Sequence, residues 1–86
     1  MTILLPLGWI ELSDKNDSLI VSYQKNYPDG LDVVLTIEYR NEMYELWSLA
    51  EHRCSGPAKN MDSVHSDLNL ALKAALAEMV EWDNND

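Results

Sequence analysis

The sequence predicts an α+β fold, a small antiparallel sheet of three to four strands followed by one C-terminal helix packed on it. Three observations carry this expectation. Residues 31 to 40 alternate apolar and polar side chains, as a half-buried strand does. Residues 62 to 82 repeat apolar side chains at helical spacing. Between the early strands stands Tyr27-Pro28-Asp29-Gly30, in which proline presets a turn and glycine closes it. At 86 residues the chain has room for one core, so it is read as a single domain over 1–86. Its 47% hydrophobic and 24% charged content is that of a folding chain.

Taken in order, residues 3 to 12 are rich in bulky apolar side chains and read as a strand, with Ser13 to Asp17 as a turn. Residues 18 to 24 carry β-branched and aromatic types and read as its hairpin partner. That pairing groups Leu7, Trp9, Leu19, Val21 and Tyr23 on one face and Ile10, Leu12 and Ile20 on the other. In the third strand Leu31, Val33, Leu35, Ile37 and Tyr39 oppose Asp32, Val34, Thr36, Glu38 and Arg40.

Residues 42 to 53 admit two readings. Met43, Leu46, Trp47 and Ala50 fit one helical face, which would give a βββαα order. Alternatively, a tight turn at Asn41-Glu42 pairs Tyr39 with Tyr44, Ile37 with Leu46, Leu35 with Ser48 and Val33 with Ala50. The strand is preferred, because four strands under one helix make a closed two-layer domain. Cys54 to Asn60 reads as loop. A helix capped by Asp62 or Ser63 then runs to about Trp82, with Met61, Val64, Leu68, Leu72, Ala75, Leu76, Met79 and Trp82 in one stripe. Residues 83–86 read as a frayed acidic tail.

Fifteen acidic residues against six basic ones give a formal net charge of −9. Such a field repels phosphates and speeds encounter with basic surfaces, so direct nucleic-acid binding is disfavoured. A lone cysteine, Cys54, forms no internal disulfide and suits a reducing, cytoplasmic setting. The apolar start, Met1 to Leu7, lacks a basic leader and a small-residue cleavage site, so no signal peptide is expected. No apolar run approaches the roughly 20 residues that span a bilayer.

Catalytic or metal chemistry would have to draw on His52, Cys54 and His65, whose spacing matches no zinc or nucleophile template. The chain is therefore expected to be neither an enzyme nor a cofactor-binding protein. Glycines stand singly at 8, 30 and 56, so no phosphate-cradling loop is present, and the six basic residues are scattered. What remains is surplus apolar surface. If Leu35, Ile37, Tyr39 and Leu46 face the helix, then Val34, Trp47 and Leu49 share the opposite face with Thr36, Met43, Glu38 and Glu45. One helix covers only one face. An apolar patch with an aromatic anchor and an acidic rim has the make-up of a protein interface. The candidate partner-binding set is Asp32, Val34, Glu38, Glu42, Glu45, Trp47, Leu49 and Glu51. Leu70, Ala74 and Ala77, which interrupt the polar side of the helix, are a candidate homodimer seam.

In size and charge the chain resembles small inhibitors carried by phages and mobile elements: anti-CRISPR proteins, anti-restriction DNA mimics and nuclease immunity proteins. The likeness is one of whole-chain character and carries over no site residue. It implies an acidic inhibitor or adaptor that occupies a basic or nucleic-acid-binding surface of its target. The alternative is a homo-oligomeric structural or accessory protein.

Overall fold

A computed structural model describes residues 5–12, 19–52, 54 and 56–85. It is α+β: β1 (Ile10–Leu12), β2 (Leu19–Asn26), β3 (Leu31–Arg40), β4 (Met43–His52), β5 (Pro57–His65) and α1 (Leu68–Asn85). The strands form one antiparallel meander in the order β1-β2-β3-β4-β5.

The β3–β4 hairpin has the register that the preferred strand reading requires. Tyr39 faces Tyr44, Ile37 faces Leu46, Leu35 faces Ser48 and Val33 faces Ala50. Its turn holds Asn41 at φ 52° and Glu42 at φ 65°. Two consecutive positive φ values are what a two-residue type I′ turn demands, and its twist matches that of the flanking strands. Asparagine tolerates this geometry, whereas glutamate is strained by its Cβ. At the other end of β3, Gly30 donates to the Tyr27 carbonyl (3.1 Å) and adopts φ 96°. Leu31 N–H is held by the Asp29 carboxylate at 3.2 Å.

The sheet departs from the sequence reading at both edges. Residues 3 to 12 do not make one long strand: Trp9 N–H bonds back to the Pro6 carbonyl (3.2 Å) around Gly8 at φ 93°. That turn leaves only three residues for β1 and turns Leu7 outward, 95% exposed. The turn expected at Ser13 to Asp17 lies outside the described residues, as does the placement of the Leu19 side chain. Ile20, grouped by the sequence with Ile10 and Leu12, sits at a register shift in β2 and packs against the core, whereas Ile10 is exposed.

At the other edge, residues 57–65 pair with β4 as a fifth strand, and the helix starts at Leu68 rather than near Asp62. Asp67 is the cap. Its carboxylate accepts from Asn69 N–H (2.7 Å) and its carbonyl from Leu70 and Ala71 N–H. Met61 and Val64 therefore belong to the sheet and not to the helical stripe. Pairing satisfies the outer backbone groups of β4, a long-range gain that helical periodicity does not reveal.

One face of the sheet and α1 enclose the core. Val33, Leu35, Ile37, Leu46, Ala71, Ala75 and Met79 are fully buried, with Trp9, Val21, Tyr23, Tyr27 and Leu72 around them. Helix positions 71 and 75 are alanine, which lets α1 approach β3, β4 and β5 closely.

The tail expected to fray is helical as far as Asn85 and is clamped at Asp83. Its carboxylate accepts from Lys25 Nζ (2.8 Å) and Tyr27 Oη (2.7 Å), tying the end of α1 to β2 and the turn after it. Lys25 also donates to the Leu7 carbonyl (3.3 Å) and lies 4.7 Å from the Tyr27 ring centroid. Burial alone would raise the Asp83 pKa. The hydrogen bonds from Lys25 and Tyr27 and the lysine's charge outweigh it and hold the carboxyl below its ordinary value. Gly8 suits the turn beside this clamp, because its φ of 93° is one that residues with a Cβ rarely adopt; a Cβ there would also meet the flexible end of Lys25 at 2.9 Å.

Two consequences are measurable by urea denaturation. Asp83→Asn should cost about 1.5–3 kcal/mol at neutral pH, the range for hydrogen bonds to a charged group. In the native chain that increment is present above the ordinary Asp pKa of 3.8 and is lost as pH falls through the lower folded value. Glu42→Gly should stabilise the domain by about 1 kcal/mol, because glycine removes the left-handed penalty; no gain would show that the turn is not strained.

Candidate functional site

The face of the sheet opposite α1 is assembled row by row from the strand registers. One row runs Ile10, Gln24, Val34, Leu49, Lys59 and the next Leu12, Ser22, Thr36, Trp47, Met61. On one side of these two rows Glu38 stands opposite Glu45, followed by Val64; on the other Asp32 stands opposite Glu51, followed by Pro57. The face is thus an apolar band between two like-charged carboxylate pairs. No described element covers it. Ile10 is 55% exposed, Met61 50%, Val64 42% and Leu49 37%, with Val34, Leu12 and Trp47 half-buried.

Trp47 is the centre of this surface. Its indole N–H donates to Glu45 Oε1 at 3.1 Å, which fixes the ring, and Lys59 Nζ stands 5.0 Å from the ring centroid. Arg40 forms an ion pair with Glu38, yet Glu38 Oε1 is buried without an aligned hydrogen-bond donor. Like charges directly opposite on a sheet repel. Here Arg40 relieves one member and the indole N–H the other. Asp32 is held by the Asn26 side-chain amide, and Glu51 is exposed.

The strand registers thus bring together Asp32, Val34, Glu38, Glu45, Trp47, Leu49 and Glu51 from the sequence-derived set. Glu42 is the exception: it lies in the β3–β4 turn, at the edge of the face. The sequence reading missed Lys59, Met61 and Val64, because it assigned residues 57–65 to loop and helix. The available signal was weak: Lys59 and Met61 are two apart, as neighbours on one strand face must be. In the helix seam, Leu70 is 48% exposed and Ala77 is exposed, but Ala74 packs against the core. The three are spaced i, i+4 and i+7 and so lie along one side of α1, with Ala74 half-buried between the two exposed residues.

His52, Cys54 and His65 do not converge. His65 lies opposite Tyr44 and His52 follows Glu51, so the two rings stand at opposite ends of β4. His65 Nε2 is 2.8 Å from Ser63 Oγ, and His52 Nδ1 accepts from Cys54 N–H at 3.2 Å. Among the described residues no three His, Cys, Asp or Glu side chains are grouped to hold a metal ion. No described helix is long and apolar enough to cross a membrane.

A third carboxylate pair lies on the helix side. Asp62 occupies the register shift between β5 and β4 and accepts from Ser48 Oγ at 3.3 Å. Burial raises its pKa, with the Ser48 bond opposing. Glu78 on α1 is raised by burial and by the charges of Asp62 and Glu81. Both groups hold protons more tightly folded than unfolded, so their charged forms weaken the fold at neutral pH. That penalty is relieved as pH falls toward the ordinary values of 3.8 and 4.5.

No protein-family model, no curated protein and no solved structure matches the chain.

From this electrostatic arrangement, Glu78→Gln should stabilise the domain at pH 7 by several tenths of a kcal/mol, a size suited to partly solvated charges. The increment should shrink as pH is lowered to about 4, where the native glutamate is itself protonated. Urea midpoints at the two pH values check this, and an equal shift at both would assign the effect to packing.

Proposed function

We propose that this chain is a small acidic protein-binding domain, an inhibitor or adaptor that lays the open face of its sheet on a basic surface of its target. The observation that supports the reading is the composition of that face: a partly exposed, mainly apolar band that includes a half-buried Trp47, bordered by Glu38 with Glu45 and by Asp32 with Glu51. Interface hot spots favour tryptophan in an apolar centre, and a charged rim governs the rate and selectivity of encounter. A net charge of −9 adds long-range attraction to a cationic partner. In the sharpest form of this reading the target surface is a nucleic-acid-binding channel, and the carboxylate pairs stand where phosphates would. The size and charge that the chain shares with small phage and mobile-element inhibitors support this reading, whose expected setting is the cytoplasm.

One observation favours the alternative, a homo-oligomeric structural or accessory protein. Strand β5, nine residues long and largely exposed, pairs with β4 alone among the described strands, and an open edge is a template for another strand. Self-association there brings two strongly acidic chains together, which the charge opposes.

Immobilised protein should capture basic proteins from a lysate at low salt and release them at ~1 M salt, where the Debye length is about 3 Å. The Glu38→Lys/Glu45→Lys double variant and Trp47→Ala should each lose the same proteins. Capture that survives both variants would place the binding surface elsewhere. A mass that grows with concentration in light scattering, with no basic protein captured, would favour the oligomer instead.

A further inference from the structure

We infer that the Trp47 ring is the receptor for one arginine side chain of a basic protein segment, and that Lys59 is its resident stand-in. The inference rests on the reading of the open sheet face as a partner-binding surface, and it names the group recognised there. Lys59 Nζ stands 5.0 Å from the Trp47 ring centroid, inside the range over which an aromatic quadrupole attracts a cation. The opposite requirement, an anion to hold the ring edge, is met by Glu45 Oε1 at 3.1 Å from the indole nitrogen. That bond fixes the ring and places a negative charge beside it. Glu38, already paired with Arg40, lies directly across from Glu45, so Glu45 is the carboxylate nearest the ring that holds no cation.

Lys59 is suited to be displaced. It lies on β5, the exposed edge strand, and the ion pairs among the described residues are Lys25 with Asp83 and Arg40 with Glu38. Its contact is with the ring, and a flexible, strongly hydrated ammonium gives that contact up readily. A guanidinium is planar and more weakly hydrated and stacks on an aromatic face. It also presents a fork of N–H donors that a neighbouring carboxylate accepts. The site therefore prefers arginine to lysine. Charge complementarity selects the source: a chain of net charge −9, with one carboxylate pair next to the ring and another at the far border of the same face, draws in a segment rich in positive charge.

The test titrates nona-arginine, nona-lysine and a neutral glycine-serine peptide into isotopically labelled protein at low salt. It is read at the Trp47 indole N–H resonance, assigned with Trp47→Phe. Nona-arginine should shift that resonance and leave those of Trp9 and Trp82 in place, with weaker binding by nona-lysine and none by the neutral peptide. Lys59→Gln should tighten nona-arginine binding about threefold more than Lys73→Gln, which removes the same charge from the exposed side of the helix. Trp47→Leu, verified as folded by circular dichroism, should weaken it by about tenfold. Equal effects of Lys59→Gln and Lys73→Gln would overturn the inference, by showing that net charge alone governs the peptide, while leaving the basic-partner reading intact. Failure of both cationic peptides to bind would remove both.

Discussion

The register of the β3–β4 hairpin is the constraint on which the rest of the structure depends. Side chains alternate across a strand with a period of two, so a slip of one residue would exchange every core position for an outer one. With Ile37 opposite Leu46 and Val33 opposite Ala50, the fully buried Val33, Leu35, Ile37 and Leu46 lie on one surface. The same register places Glu38 opposite Glu45 and Thr36 opposite Trp47 on the other. Core and candidate interface are thus two consequences of one pairing. The turn that enforces it holds Glu42 at φ 65°, a local strain that the paired strands on either side tolerate.

A single helix of 18 residues closes one side of the five strands, and no other described element covers the other. Its two ends are treated differently. Asp67 caps the start through local backbone bonds, whereas Asp83 near the end is held by Lys25 and Tyr27, more than fifty residues earlier. This non-local clamp joins the short edge β1 side of the sheet to the helix through the Pro6–Trp9 turn. Against it work Asp62 and Glu78, two carboxylates crowded between β5 and α1. A chain with fifteen acidic residues in 86 does not separate all of them, and the repulsion collects where strand and helix meet.

The open face shows the same tension used differently. Glu38 and Glu45 repel, but Arg40 and the Trp47 indole N–H each bind one of them, so the pair also orients the aromatic ring. A tryptophan fixed by a carboxylate and overlaid by a lysine presents a defined plane rather than a mobile hydrophobe. Shape and charge on this face are therefore coupled: the residues that set its potential also set the geometry of its anchor.

Local signals determined much of this protein. The alternation of residues 31 to 40, the Tyr27–Gly30 turn, the Asn41-Glu42 hairpin and the apolar spacing from Leu68 to Trp82 are short-range patterns, legible in the order of side chains. From them follow the α+β class, the core of β3 and β4, and seven of the candidate surface residues. The tertiary structure alone decided the edges. Residues 57–65 carry a pattern that suits loop and helix, and they become strand because β4 offers them an unpaired edge. That step brings Lys59 over Trp47 and Met61 and Val64 onto the open face. Likewise Asp83 is fixed rather than frayed, because the order of a helix end depends on what it packs against and not on its own composition.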